Sequence, residues 1–104
     1  MNLTLYITDA DGVPMPEPNQ DLMAWARFMG DWEHKYIDST MIGRATVQTI
    51  FRGQDTRMQP NGEPMLFETM VYGGKLHREM QEYATRADAV RGHEVMVKRV
   101  ESGQ

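Results

Sequence analysis

Two side chains in this sequence could carry acid/base chemistry, Glu68 and His93. Glu68 stands in the middle of the apolar run 66–72, where an unpaired carboxylate would be costly, and His93 falls on the apolar side of the last predicted helix. Buried together, the two would form an acid/base pair. The structural alternative is that Glu68 faces solvent or pairs with Arg44, Arg52 or His93, and that His93 is a neutral imidazole bonded to a backbone carbonyl or to Glu68. We favour the structural interpretation and assign no catalytic residue.

The sequence contains no recognised pattern of metal ligands or cofactor-binding residues. His34, His77 and His93 are irregularly spaced, no carboxylate completes a recognised ligand pattern, and there is no cysteine. The phosphate loop, the dinucleotide fingerprint, the HExxH helix and the nucleophile elbow are also missing. We therefore predict no metal site, no cofactor and no enzymatic activity.

Several side chains are better suited to contact a ligand or a partner. Gly73 and Gly74, followed by Lys75, could present backbone amides to an anion, although a plain turn is the simpler explanation. Trp25, Phe28 and Trp32 could stack on a base, but rings at helical spacing usually belong to a core, with one left for an interface. The candidate contact residues are Trp25, Trp32, Arg44, Arg52, Glu68, Tyr72, Lys75 and His93.

These residues are positioned by a predicted pair of long strands between Gly43 and Gly74. In the first strand the odd-numbered residues of 45–51 share one face, and in the second strand the odd-numbered residues of 67–71 do so. The loop 54–63 contains Asn61-Gly62, a strong turn signal, and is long enough to be a contact surface. Neither strand is apolar on one face alone. We therefore expect helices to cover one face and a second subunit to cover the other.

The remaining segments complete an α+β fold: an antiparallel sheet of four to five strands covered by two amphipathic helices. Strands are predicted at 2–8, 35–42 and 76–84, and the proline-spaced segment 13–18 is predicted to be a connector that resists sheet pairing. The first helix should begin at Asn19 or Asp21 and end near Trp32 or His34, or already at Gly30. We expect this helix to be a main cover of the sheet. The second should begin at Thr85. Its buried stripe comprises Ala89, His93, Met96, Val97 and Val100.

Composition narrows the class of protein. The 104 residues suit a single domain, residues 1–104, and no apolar run approaches the length of a membrane span. Lack of cysteine and of a signal peptide predicts a cytoplasmic protein. A net charge of −4, mixed along the chain, makes nucleic acid an improbable partner. Ten methionines are unusual, and we predict a methionine-rich core in preference to a methionine-rich binding surface.

Three parts of the chain also resemble an uncharacterised family of small bacterial and phage proteins. They are TIFRGQD at the end of the first central strand, the block PMLFETMVYGG, and a late pattern comprising Tyr83-Ala84-Thr85 and residues 89–93. Ala84 departs from the serine expected there. The resemblance brings no activity. It implies an accessory protein of phage or mobile-element type, not a metabolic enzyme.

Three functions follow as hypotheses. The first is a non-catalytic binding module that engages a host protein and inhibits a defence enzyme. The second is a homodimeric nucleotide-binding protein whose interface pocket is lined by Trp or Tyr and by Arg44, Arg52 or Lys75. The third, ranked last, is a small hydrolase or isomerase that uses Glu68 and His93.

Overall fold

The structure is a computed structural model that describes residues 4–58 and 61–103. The fold is α+β, with a four-stranded antiparallel sheet, a two-stranded sheet and helices. The elements in chain order are β1 (Tyr6–Thr8), β2 (Pro14–Pro16), α1 (Leu22–Met29), α2 (Trp32–Lys35), β3 (Tyr36–Ile42), β4 (Ala45–Phe51), β5 (Phe67–Tyr72), β6 (Met80–Tyr83) and α3 (Arg86–Gly103). None of the helices in the described residues is long and apolar enough to cross a membrane.

The predicted central pair is confirmed as β4 and β5, which lie antiparallel in the middle of a sheet of order β3-β4-β5-β6. Thr49 lies opposite Thr69, and Phe51 opposite Phe67. The odd-numbered residues of both strands are buried. Since a one-residue slip would expose that whole set, burial fixes the register.

Helix α3 covers the buried face of the sheet and contacts all four strands. Thr85 caps it, because its Oγ1 accepts a hydrogen bond of 3.1 Å from the amide of Asp88. Four of the five predicted stripe residues are buried and Val97 packs beside them, which confirms the stripe. Gly92 is required because a Cβ there would overlap the ring of Tyr83.

The proline-spaced segment 13–18 does not resist pairing, and that prediction was wrong. Pro14–Pro16 pairs antiparallel with Tyr6–Thr8. The ladder is continued by the amide of Glu17, which donates to the carbonyl of Leu5 at 2.8 Å. Proline at alternate positions directs its missing donor to the outer edge of the ribbon, where no partner is needed. The predicted first strand is confirmed at residues 6–8, while residues 2 and 3 lie outside the described part.

The first helix is not a main cover of the sheet, which corrects a second prediction. It ends at Met29 with Gly30 as its cap, and none of its residues is buried. Asp31 then caps the short helix α2. With only eight residues, α1 reaches one end of the sheet, where Phe28 meets Phe51 edge-to-face at 6.2 Å.

The segment 76–84 is a strand only in its second part, Met80–Tyr83. Gly73, Gly74 and Arg78 all have positive φ, so the chain turns before it can pair. The turn is closed by two backbone hydrogen bonds, from Arg78 to Val71 at 2.7 Å and from Val71 to Glu79 at 3.0 Å.

Candidate functional site

Helix α3 leaves one face of the four-stranded sheet uncovered, and we call this face the open face. It is formed by the residues between the buried ones, because directly paired residues share a face. Along the four strands these are Tyr36, Ser39 and Met41; Thr46, Gln48 and Ile50; Glu68, Met70 and Tyr72; and Met80 and Glu82. Met41 is 78% exposed, Tyr72 44% and Met80 43%. The open face therefore presents large apolar side chains to solvent.

The methionines lie mostly outside the core, so the predicted methionine-rich core is wrong. Among the described residues only Met96 is a buried methionine. Met70 and Met80 are directly opposite each other on the open face, and Met41 lies on its other edge strand. Unbranched thioether side chains adapt their shape to a contact, which suits a binding surface.

Glu68 lies on the open face and is held by an arginine. Its Oε1 is 3.4 Å from Nε of Arg52, and Arg52 Nη1 donates to Oε2 of Glu82 at 2.9 Å. Glu68 and Glu82 are cross-strand partners, so their like charges would repel without Arg52 between them. Arg52 also donates to the hydroxyl of Thr56. Of the alternatives left open for Glu68, pairing with Arg52 is the one observed.

His93 lies on the opposite face of the sheet from Glu68, so the two do not form an acid/base pair. Its Nδ1 is 2.7 Å from Oγ1 of Thr49, which in turn lies 2.6 Å from Oγ1 of Thr69. Its Nε2 is 2.9 Å from Oγ1 of Thr40 and 3.5 Å from a carboxylate oxygen of Asp38. The expected partners, a backbone carbonyl or Glu68, are thus replaced by strand hydroxyls. At 1% exposure the imidazole is out of reach of a substrate.

The other two histidines do not join it. His77 lies in the β5–β6 turn, where its Nδ1 accepts a 2.7 Å hydrogen bond from the amide of Gly73. That amide is therefore not free to bind an anion. The side chain of His34 lies outside the described part. Within the described residues, no three histidine, cysteine or acidic side chains come together as a metal-ion site.

The two tryptophans have different environments. Trp25 is half-buried, and its Nε1 donates to the carbonyl of Gly53 at 3.2 Å. Trp32 is 64% exposed and stacks on Tyr36, with the ring centroids 4.6 Å apart. The Nζ of Lys35 lies 5.7 Å from the Trp32 ring. Trp32 therefore extends the apolar surface beside the open face, whereas Trp25 ties α1 to the end of β4.

Three cationic side chains lie at the end of the sheet that is formed by the β3–β4 and β5–β6 turns. Arg44 lies in the β3–β4 turn, and Lys75 and Arg78 lie in the β5–β6 turn; all three are exposed. The two turns touch, because a Cβ on Gly73 would overlap the carbonyl oxygen of Arg44. In the described residues none of these cations has a carboxylate within ion-pairing distance. A groove of about 550 Å³ beside them is lined by Met70, Tyr72, His77, Arg78 and Met80.

The described part of the loop 54–63 is organised by an ion pair that was not predicted from the sequence. Arg57 forms an ion pair of 2.7 Å with the buried Asp55. It also donates to the carbonyls of Asn61 at 3.0 Å and Glu63 at 2.8 Å. The side-chain hydrogen bond from Arg57 lowers the pKa of Asp55, although burial opposes the shift. The same bond raises the pKa of Arg57.

The structure thus brings Glu68, Arg52 and Tyr72 onto one face, places Arg44 and Lys75 at its end, and separates them all from His93. Met41, Met70 and Met80 were not predicted to be surface residues. Alternation in the strands separates them from the buried set, but it does not state which of the two sets is buried. In comparisons with models of protein families, with curated proteins and with solved structures, the chain has no match.

Proposed function

We propose that this protein is a non-catalytic binding module and that its open face is the contact surface for a partner protein. The observation that carries this proposal is the exposure of Met41, Tyr72 and Met80 on one face of the four-stranded sheet. Clustered large apolar side chains on a protein surface commonly mark an interaction site. Covering an exposed methionine or tyrosine is worth about 1.5–3 kcal/mol at most, so three of them give a partner a substantial gain.

The acid/base candidates support binding over catalysis. His93 is enclosed between α3 and the sheet with hydroxyl partners on both ring nitrogens, and Glu68 is held by Arg52. A general base must reach the proton that it takes, which a 1% exposed imidazole does not do. The side chains best placed for contact are apolar instead.

For the partner we propose a host bacterial protein, with inhibition of a defence enzyme as the role. This part rests on the resemblance to small phage and bacterial proteins in TIFRGQD and PMLFETMVYGG. A surface of adaptable methionines with one tyrosine suits a protein partner.

The test is site-specific photo-crosslinking in host lysate. A photoreactive phenylalanine is placed at Met41, at Tyr72, or at Val90, an exposed control position on α3. We expect one host protein to crosslink from the two open-face positions and not from the control. The purified partner should then bind Met80→Glu at least about tenfold more weakly than the parent, a loss of about 1.4 kcal/mol. Equal crosslinking from all three positions, or unchanged affinity of the variant, refutes the proposal.

A second candidate, a homodimeric nucleotide-binding protein, is favoured by the groove at the β5–β6 turn. Its volume of about 550 Å³ is in the range of small-molecule sites, and Tyr72 and Arg78 line it together. Because Nδ1 of His77 accepts from Gly73, its Nε2 is the nitrogen left to face a ligand. A nucleotide panel should raise the melting temperature of the parent but not of Tyr72→Ala. No shift with any nucleotide rejects this candidate.

A further inference from the structure

The outer edge of β6 has backbone groups available for pairing. The hydrogen bond from Val71 to the carbonyl of Glu79 shows that odd-numbered residues of this segment point their backbone toward β5. The N–H and C=O groups of Met80 and Glu82 therefore point outward. Among the described residues their one hydrogen-bond partner is the side chain of Gln81, which donates to the carbonyl of Glu82 at 3.3 Å. An unpaired edge of this kind is a template for another strand.

The opposite edge of the sheet is formed by β3, and one of its outward amides is already hydrogen-bonded. In β3 the amide of Ser39 is already bonded to a carboxylate oxygen of Asp38 at 2.8 Å. Ser39 lies on the outer side because Ile42 and Ala45 flank the two-residue turn and pair with each other. In β6, by contrast, the outward amides of both Met80 and Glu82 have no hydrogen-bond partner among the described residues, so β6 is the edge better suited to an incoming strand.

A trough runs alongside β6, between this strand and α3. A cavity of about 250 Å³ is lined by Gln81, Tyr83, Gly92, Val95, Met96 and Arg99. A second cavity of about 490 Å³ continues along α3 and shares Val95 and Arg99 with the first. Val95 is 59% exposed in its floor. Side chains of a strand paired to β6 would point alternately into this trough and toward Met80 on the open face.

We propose that the partner binds by adding an extended segment to the free edge of β6, with an aliphatic side chain over Val95 and acidic residues beside it. This inference deepens the proposed function and rests on it. The charges favour an acidic segment, because Lys98 on the trough side and Arg78 on the open-face side have no ion-pair partner among the described residues. Backbone pairing supplies the affinity, and the trough selects the side chains.

A second copy of this chain fits the trough poorly. Arg91 and Arg99 lie one helical turn before and after Val95, on the same side of α3. Both arginines are already neutralised, Arg91 by Asp88 and Arg99 by Glu79 at 3.0 Å. A second copy would bring the same unpaired cations, Lys98 and Arg78, to the contact, and like charges placed together oppose it. An acidic segment instead supplies carboxylates to these two cations.

The experiment selects short random linear peptides displayed on phage against the immobilised full chain. We expect enriched sequences that alternate aliphatic residues and contain at least one acidic residue. A synthetic peptide of the enriched sequence is then titrated against the parent, Glu82→Pro and Glu82→Ala. Both variants lose the carboxylate that pairs with Arg52, but only proline removes the outward N–H and places its ring at the edge. The peptide should bind Glu82→Pro at least about tenfold more weakly than Glu82→Ala, and Val95→Glu should be equally weak.

Thermal melting checks that each variant is folded, and Val90→Glu is the matched control for Val95→Glu. Because Val90 is exposed on α3 and does not line the trough, its substitution should leave peptide affinity unchanged. If no sequence is enriched, or if Glu82→Pro binds as well as Glu82→Ala, the edge-pairing inference is overturned, while crosslinking from Met41 and Tyr72 still decides the proposed function. A dimer that Val95→Glu dissociates would assign the trough to a second copy and overturn the inference as well.

Discussion

Replacing Gly92 by alanine sets two effects of opposite sign against each other. In an open helix interior this change stabilises by about 1 kcal/mol, because alanine has a higher helix propensity than glycine. Here the new methyl group would overlap the ring of Tyr83, which is anchored in β6 and packs beside the Phe51 cluster. Overpacking of this kind costs about 1–3 kcal/mol. We expect a net loss of up to about 2 kcal/mol in the free energy of unfolding.

Urea denaturation followed by circular dichroism measures this loss, and a double-mutant cycle assigns its cause. Tyr83→Val alone should destabilise the protein by opening a cavity. In that background Gly92→Ala should be neutral or stabilising by up to about 1 kcal/mol, because the ring is gone. If Gly92→Ala stabilises the parent chain, or costs the same in both backgrounds, then the close contact of α3 with β6 is not the reason for this glycine.

The remaining predictions concern the core, the β4 end and the loop. Phe67→Ala should cost about 3–5 kcal/mol in urea denaturation because Phe67 is fully buried. Trp25→Ala should cost clearly less than Phe67→Ala, because the Trp25 ring is only half-buried and its indole makes one hydrogen bond. Equal losses for the two variants would show that α1 covers more of the core than the half-buried Trp25 indicates. Asp55→Asn should cost about 1–3 kcal/mol, because Arg57 loses a charged hydrogen-bond partner. The pKa of Asp55 is lower in the folded chain than its ordinary value of 3.8, so this contribution is present above that pH and lost as the pH falls through the folded pKa. The gap in unfolding free energy between parent and Asp55→Asn should therefore shrink from neutral pH to about pH 3, and a constant gap would contradict the assignment.

The strands and helix with the strongest periodicity could be predicted from the sequence. Alternation of β-branched and aromatic residues from Ala45 to Phe51 identified the strand and the two sets of residues that share its faces. The apolar stripe from Ala89 to Val100 identified α3 and its buried side. These predictions succeed because burial on one side leaves a direct record in the residue pattern.

The open face could not be predicted, because methionine and tyrosine occupy both cores and contact surfaces. Nothing local in the sequence states that α3 covers the odd-numbered side of β4 and β5 and leaves Met70 and Tyr72 outside. The partners of His93 were missed for a related reason. Thr49 and Thr69 follow the buried period, and a hydroxyl there needs a polar partner, but which helix residue supplies it depends on the packing.

The linked hydroxyls and imidazole beneath α3 have a consequence for how this chain can change in evolution. His93 is hydrogen-bonded to both Thr49 and Thr40, and Thr49 is hydrogen-bonded to Thr69. One set of polar atoms therefore fixes the position of α3 relative to β3, β4 and β5. Losing a single member would leave a desolvated group without a partner, whereas exchanging the whole set for aliphatic residues of similar volume would not. These positions should therefore vary together or not at all, and homologous chains should divide into those with the complete polar set and those with a wholly aliphatic one.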